Sequence, residues 1–101
     1  MLFQIIHSHT SETCPAKSPE AAKRSGEWWQ ALKKTSGIKV LVGTVSPLDH
    51  TFYITVEADD YPTLTRTLWP LLGIGTGDVI PVITLDQALP LAEDLASRTS
   101  K

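Results

Sequence analysis

The sequence predicts an α+β domain with a four-stranded antiparallel sheet, and three observations lead to this expectation. Two runs rich in Val, Ile, Thr and aromatic residues, 38–45 and 51–58, flank a Ser-Pro-Leu-Asp-His turn and predict a hairpin. Helix-start signals stand before and after this hairpin, near residues 18 and 60. A further β-compatible run opens the chain and another follows the second helix signal. The predicted order is therefore strand, helix, strand, strand, helix, strand.

The first half of the chain begins with an apolar strand over residues 2–9, which ends at a polar, proline-containing loop over 8–18. Ser18 then supplies an N-cap side chain, Pro19 occupies a first-turn position that needs no N–H donor, and Glu20 favours the helix dipole. The helix that follows has apolar positions at three- and four-residue spacing, including Trp28 and Trp29, one of which we expect to pack on the sheet. Gly37 predicts its end.

The second half continues with a helix that opens at residues 59–62, and Pro70 is expected to end or kink it. The glycine-rich stretch 73–77 is interpreted as a turn. A fourth strand follows over 78–85, where Pro81 favours an edge position or a bulge. Leucines at helical spacing predict a terminal helix over 86–97, with Pro90 limiting how early it can begin. Residues 98–101 are expected to fray.

This order is the ferredoxin-like βαββαβ arrangement with an added C-terminal helix. Right-handed crossovers would place the first strand between the third and the fourth. Because the chain has 101 residues, we expect one domain over 1–101. So small a domain, with three tryptophans and one sheet face that the two main helices cannot cover, predicts a homodimer.

Composition excludes some partners and narrows the compartment. The formal net charge is −2 and no basic stripe is present, so we expect no nucleic-acid partner. The first residues lack the positive region and apolar length of a signal peptide, and no stretch reaches membrane-spanning length. We therefore expect a cytoplasmic protein without membrane contact. The single cysteine, Cys14, excludes an intramolecular disulfide and leaves a free thiol, a metal ligand or an intermolecular bridge.

All the histidines and the only cysteine are predicted to gather at one end of the sheet. Alternation along a strand puts His7 and His9 on the same face, about 7 Å apart at the backbone. If the first and third strands are antiparallel neighbours, His50 lies at the same end, and Cys14 can reach back from the following loop. Imidazole and thiolate suit copper or zinc. The predicted metal ligands are His7, His9, Cys14 and His50.

An ordinary structural interpretation of these residues stays open. They can equally be polar side chains at a strand end and in a loop, with a small cysteine among them. The sequence contains no Cys-x-x-Cys or His-x-x-x-His pair of the kind that standard zinc sites use. The glycines at 73–77 follow a helix and precede a strand, the reverse of a dinucleotide-binding loop, so they predict no nucleotide site.

Several short stretches resemble those of a domain-of-unknown-function family of short proteins in the dimeric α+β barrel superfamily. They span most of the chain: Met1-Leu2-Phe3, Gly37-Ile38-Lys39-Val40-Leu41, Val56-Glu57-Ala58-Asp59-Asp60 and Ile80-Pro81-Val82. The resemblance implies that two ferredoxin-like sheets pack face to face into a barrel, with a cleft or pocket in each subunit. It implies no reaction, because that superfamily includes monooxygenases, isomerases, haem enzymes and stress proteins.

Three function classes follow from these observations. The first is a small dimeric metal-binding protein that holds a copper or zinc ion. The second is a cofactor-independent monooxygenase or isomerase that acts on a small apolar molecule in the barrel cleft, with a histidine as general base. The third is a non-catalytic dimeric interaction module. Whether the protein is an enzyme stays open at this point, and no catalytic residue is predicted.

Overall fold

Four strands form one antiparallel sheet in the computed structural model, which describes residues 1–73 and 75–99 of the chain. The strands are β1 (Leu2–His9), β2 (Ile38–Ser46), β3 (Thr51–Ala58) and β4 (Gly75–Val82). Their order across the sheet is β2-β3-β1-β4, and every neighbouring pair is antiparallel. The α+β prediction is confirmed, and the architecture is consistent with a ferredoxin-like fold.

Three α-helices accompany this sheet in the described ranges: α1 (Pro19–Lys34), α2 (Tyr61–Leu68) and α3 (Leu85–Thr99). The predicted N-cap at Ser18 is confirmed, and α2 opens within the predicted stretch 59–62, with Asp60 as its cap. The Ser18 hydroxyl accepts a hydrogen bond from the Ala21 N–H at 3.1 Å, and the Asp60 carboxylate accepts one from the Thr63 N–H at 2.7 Å. A 3₁₀ turn over Trp69–Gly73 contains Pro70 and ends α2, as expected from a residue that cannot continue the helix.

The bounds of β4 and the end of α1 differ from the sequence prediction. β4 covers Gly75–Val82 and not 78–85, because Gly75 pairs with His9 and Gly77 with His7, so most of the predicted turn is strand. Ile74, inside that predicted turn, lies outside the described residues. α1 ends at Lys34, capped by Thr35, and Gly37 with φ +84° forms the turn into β2.

The predicted terminal helix is confirmed as α3, which begins at Leu85, one residue before the predicted start. A reciprocal capping box explains this start: Thr84 N–H donates to the Gln87 side chain at 3.0 Å, and Gln87 N–H donates to the Thr84 hydroxyl at 3.1 Å. Pro90 is accommodated inside the helix. The expected fraying at 98–101 is wrong for Arg98 and Thr99, which are helical, whereas residues 100–101 lie outside the described part of the chain.

The register gives the sheet one covered and one open face. Phe3 and Ile5 of β1 pair with Val56 and Ile54 of β3, and all four side chains are buried under α1 and α2. The rest of the apolar core is contributed by the helices and by neighbouring strand positions: Leu32, Ile38, Ala58, Leu64, Leu68 and Leu71. His7 and His9 continue the same row of β1, so the register places two histidines in core positions.

The other face of the sheet and the helix α3 are largely exposed. Val42 and Ile80, which pair with open-face residues of the central strands, are 51% and 44% exposed. In α3 every residue except Ala88 is exposed, including its leucines. The molecule is correspondingly elongated, 59 × 30 × 19 Å. In the portion of the chain described here, no helix combines the length and apolarity needed to cross a bilayer.

Candidate metal centre

Three of the four predicted ligands meet at one end of the sheet. Ligand atoms of His9, Cys14 and His50 all lie within 4.8 Å of one another. His9 is the last residue of β1, His50 directly precedes β3, and Cys14 follows in the loop that leads to α1. A group of this composition, with its ligand atoms this close together, is compatible with a transition-metal site.

The backbone positions the two imidazoles. The last residue pair of β1 and β3 is Ser8 with Thr51. One residue further on, the His9 N–H donates a hydrogen bond to the His50 carbonyl at 3.0 Å. His50 adopts the left-handed conformation, φ 51° and ψ 40°, at the end of the 3₁₀ turn Pro47–Asp49. This conformation is uncommon for a residue with a Cβ, although histidine adopts it more often than most. The two rings consequently meet edge to face with centroids 5.2 Å apart.

The loop after β1 returns the thiol toward the histidines. Thr10 and Thr13 close a turn in which the Thr13 hydroxyl accepts from the Thr10 N–H at 3.0 Å and the Thr13 N–H donates to the Thr10 carbonyl at 3.2 Å. Cys14 then starts the 3₁₀ turn Pro15–Lys17, and its Sγ accepts from the Ala16 N–H at 3.4 Å. The sulfur is therefore fixed by its own turn, and it is a free cysteine.

Four buried ring nitrogens have no hydrogen-bond partner among the described residues: His7 Nδ1, His7 Nε2, His9 Nδ1 and His50 Nδ1. His7 is 0% exposed and His9 is 8% exposed. A buried polar atom left unsatisfied costs about 1–3 kcal/mol, so natural cores rarely contain several together. These unpaired nitrogens are compatible with a bound metal ion, because an imidazole nitrogen that donates to no other group can act as a metal ligand.

Electrostatics keep the two buried histidines neutral. Burial lowers the pKa of His7, and the Thr76 backbone, which does not meet the criteria for a hydrogen bond to the ring, acts in the opposite direction. Burial also lowers the pKa of His9, and repulsion from His7 and His50 adds to the effect. Neutral imidazole is the form that binds metal ions, so these lowered pKa values favour the metal-binding form of His7 and His9.

His7 lies next to the group of three and not inside it. Its ring centroid is 5.8 Å from that of His9, and the ring stacks on Phe52 at 5.8 Å with an interplanar angle of 15°. Gly75 makes room for it, because a Cβ there would lie 2.9 Å from His7 Cε1 and collide with the Ser8 carbonyl. The role of His7 as a fourth ligand stays a prediction.

A large cavity adjoins the site; the family resemblance implied a cleft or pocket in each subunit, but it did not say which residues would line one. It measures about 580 Å³, lies between α1 and the sheet, and begins at Thr13 and Pro15, on either side of Cys14. Phe52, whose ring contacts both buried histidines, forms part of its wall. The prediction that one tryptophan packs on the sheet is confirmed by Trp29, which covers Gly43 of β2. Glycines at 26 and 43, both in the cavity wall, were the available sequence signal.

A second, smaller cavity of about 260 Å³ lies under α2 and is lined in part by His7. His7 therefore contacts His9 of the group of three and also lines this second cavity.

No model of a known protein family matches the chain, and no curated protein matches it. The resemblance to the dimeric α+β barrel superfamily stays a prediction, and the function must be argued from the site.

Proposed function

We propose that this protein binds a transition-metal ion through His9, Cys14 and His50, with His7 as the fourth ligand. The supporting observation is the convergence of a thiol with imidazoles whose buried nitrogens have no other partner. Two imidazoles and one thiolate form three corners of a tetrahedral site, and a fourth donor or an exogenous ligand completes it. His7 is included because both its nitrogens are unsatisfied and its ring neighbours that of His9.

Copper is the first candidate ion and zinc the second. Thiolate with imidazole suits both ions, and copper binds such ligands more tightly. A thioether ligand of the blue-copper type is not expected. Met1, the only methionine, is anchored at the opposite end of β1, where its terminal ammonium donates to the Ala58 carbonyl at 3.0 Å. A site of this composition favours copper(I) or zinc without that axial ligand.

Metal analysis of untagged protein tests the proposal directly. The protein is purified under reducing conditions, because oxidation of the thiol would destroy a ligand. Copper(I) and zinc affinities are then measured by competition with chromophoric chelators. We expect one ion per chain, and we expect His9→Ala, Cys14→Ser and His50→Ala to weaken binding by roughly a hundredfold or more.

Glu12→Gln is the matched control, because Glu12 occupies the same loop as Cys14, is exposed and is not in the ligand group. It should bind as tightly as the wild type. The proposal is wrong if the wild type takes up neither ion, or if the ligand variants bind as tightly as the control.

We also infer that the protein forms a homodimer. In its support, Val42 and Ile80 leave apolar area on the open face of the sheet, and Leu85, Leu89 and Leu95 are at least half exposed on α3. Light scattering should give twice the chain mass at micromolar concentration. Ile80→Asp should shift this toward the monomer, whereas Asp78→Asn on the same face of β4 should not; a wild-type monomer would contradict the inference.

A further inference from the structure

The cavity between α1 and the sheet has the size and walls of a small-molecule site. Its volume of about 580 Å³ falls within the usual range for such sites, about 300–1,000 Å³. Its apolar walls combine aromatic and aliphatic side chains: Trp28, Trp29, Val45, Phe52, Ile54 and Leu71. Two indole rings and a phenyl ring provide flat surfaces of the kind that bind planar rings.

The charged side chains that line this cavity in the described part of the chain are both positive. Lys17, on the turn after Cys14, and Arg24, on α1, both line it and are exposed. No Asp or Glu is among the described residues that line it, although the chain as a whole is acidic with a formal charge of −2. In the described ranges neither cation takes part in an ion pair. The rim therefore offers two free cations to an anionic group.

A glycine keeps one wall open. Gly26 lies inside α1, where glycine is unfavourable. A Cβ at this position would meet nothing within 4 Å, so no close packing requires the glycine. Gly26 is among the residues that line the cavity, so a larger residue there would take up space at its wall. The wall is open where helix stability alone would favour a larger residue.

We propose that this cavity binds an amphipathic organic anion, an aromatic carboxylate whose ring lies against Trp28, Trp29 and Phe52 and whose carboxylate faces Lys17 and Arg24. The inference does not depend on the metal, because walls and charges come from other residues. It does place the inner end of such a ligand beside the metal centre, since Phe52 contacts the rings of His7 and His9 at 5.8 and 5.3 Å.

Calorimetric titration of metal-free protein with 2-naphthoate and with its neutral amide, 2-naphthamide, tests the proposal. We expect the acid to bind more tightly than the amide, with one site per chain. Lys17→Gln and Arg24→Gln should each weaken the acid roughly two- to fivefold, as exposed charge pairs do, and leave the amide unchanged. Lys23→Gln, on α1 but outside the cavity lining, is the control and should change neither.

Two further measurements locate the ligand. In NMR spectra the indole N–H signals of Trp28 and Trp29 should shift on titration, and that of Trp69, which lies outside this cavity, should not. Gly26→Leu should abolish binding of both compounds. If the leucine variant does not fold, Gly26→Ala, a smaller change at the same position, serves instead and should weaken binding. The proposal is overturned if 2-naphthoate fails to bind at millimolar concentration. Equal binding of acid and amide would overturn it as well, as would binding that Gly26→Leu or Gly26→Ala leaves unchanged.

Discussion

The two halves of β1 bury their covered faces to the same extent but with opposite chemistry. Phe3 and Ile5, at one end, are 3% and 1% exposed and meet apolar partners. His7 and His9, at the other end, are as deeply buried, yet three of their four ring nitrogens have no partner among the described residues. The apolar half is complete within the chain. The histidine half leaves ring nitrogens unpaired among the described residues, and this difference supports the proposed metal site.

The largest expected effect is in the apolar half. Ile5→Ala should lower the free energy of unfolding by about 2–5 kcal/mol, because it removes a fully buried side chain and leaves a cavity. Urea denaturation monitored by circular dichroism measures this. A loss below about 1 kcal/mol would mean that the sheet and helices are not packed as described.

A metal ion should stabilise the histidine half. With free copper(I) or zinc at a hundred times the dissociation constant, the native state should gain about 2.7 kcal/mol. The gain appears as a higher urea midpoint or melting temperature under reducing conditions. It should vanish in Cys14→Ser and persist in Glu12→Gln. If the metal ion stabilised Cys14→Ser and Glu12→Gln equally, the ion would not be binding through Cys14.

Replacing His7, which follows Ile5 on the covered face of β1, should change the stability of the metal-free protein in the opposite direction. His7→Leu removes two unsatisfied nitrogens from a buried position, so the metal-free protein should keep its stability or gain up to about 1–3 kcal/mol. Denaturation of metal-free wild type and variant gives the difference. A loss as large as that of Ile5→Ala would show that His7 is satisfied by the chain itself.

The two halves of β1 should also differ in how acid affects stability, because only one of them contains histidines. His7 and His9 have lowered pKa values in the native state, whereas an unfolded histidine titrates near about 6.5. Above that pH both states are neutral and the groups contribute nothing. As the pH falls below it, the unfolded chain takes up protons that the native chain resists, so stability decreases.

Urea midpoints of the metal-free protein, measured from about pH 7.5 down to about pH 5, before the carboxylates titrate, should show this decrease. The dependence should be shallower in His7→Leu, which retains only one of the two shifted groups. A flat profile in the wild type would contradict the burial of neutral histidines.

The smallest effect lies outside both halves, at the cavity wall. Gly26→Ala should raise the free energy of unfolding by about 0.5–1 kcal/mol, because alanine is the better helix former and its Cβ meets no atom within 4 Å. Thermal denaturation resolves a change of this size. No gain, or a loss, would mean that the glycine serves the fold and not the open wall.

Local patterns were sufficient for much of this protein. Alternation and turn chemistry predicted β1 and β3 with the bounds that the structure has, and the caps at Ser18 and Asp60 started α1 and α2 where expected. Period-two alternation also put His7 and His9 on one face. These features depend on residues within a few positions of each other, and short-range sterics and hydrogen bonding decide them.

Pairing between distant segments decided the rest. β4 begins at Gly75 because β1 provides a partner there, and a run of glycines has no local preference for a strand. The burial of His7 and His9, the loss of partners for their nitrogens and the return of Cys14 to His50 all depend on the stacking of helices and loops over that end of the sheet. The cavity and its two cations arise in the same way, because spaces and desolvated groups exist only between elements that long-range packing has brought together.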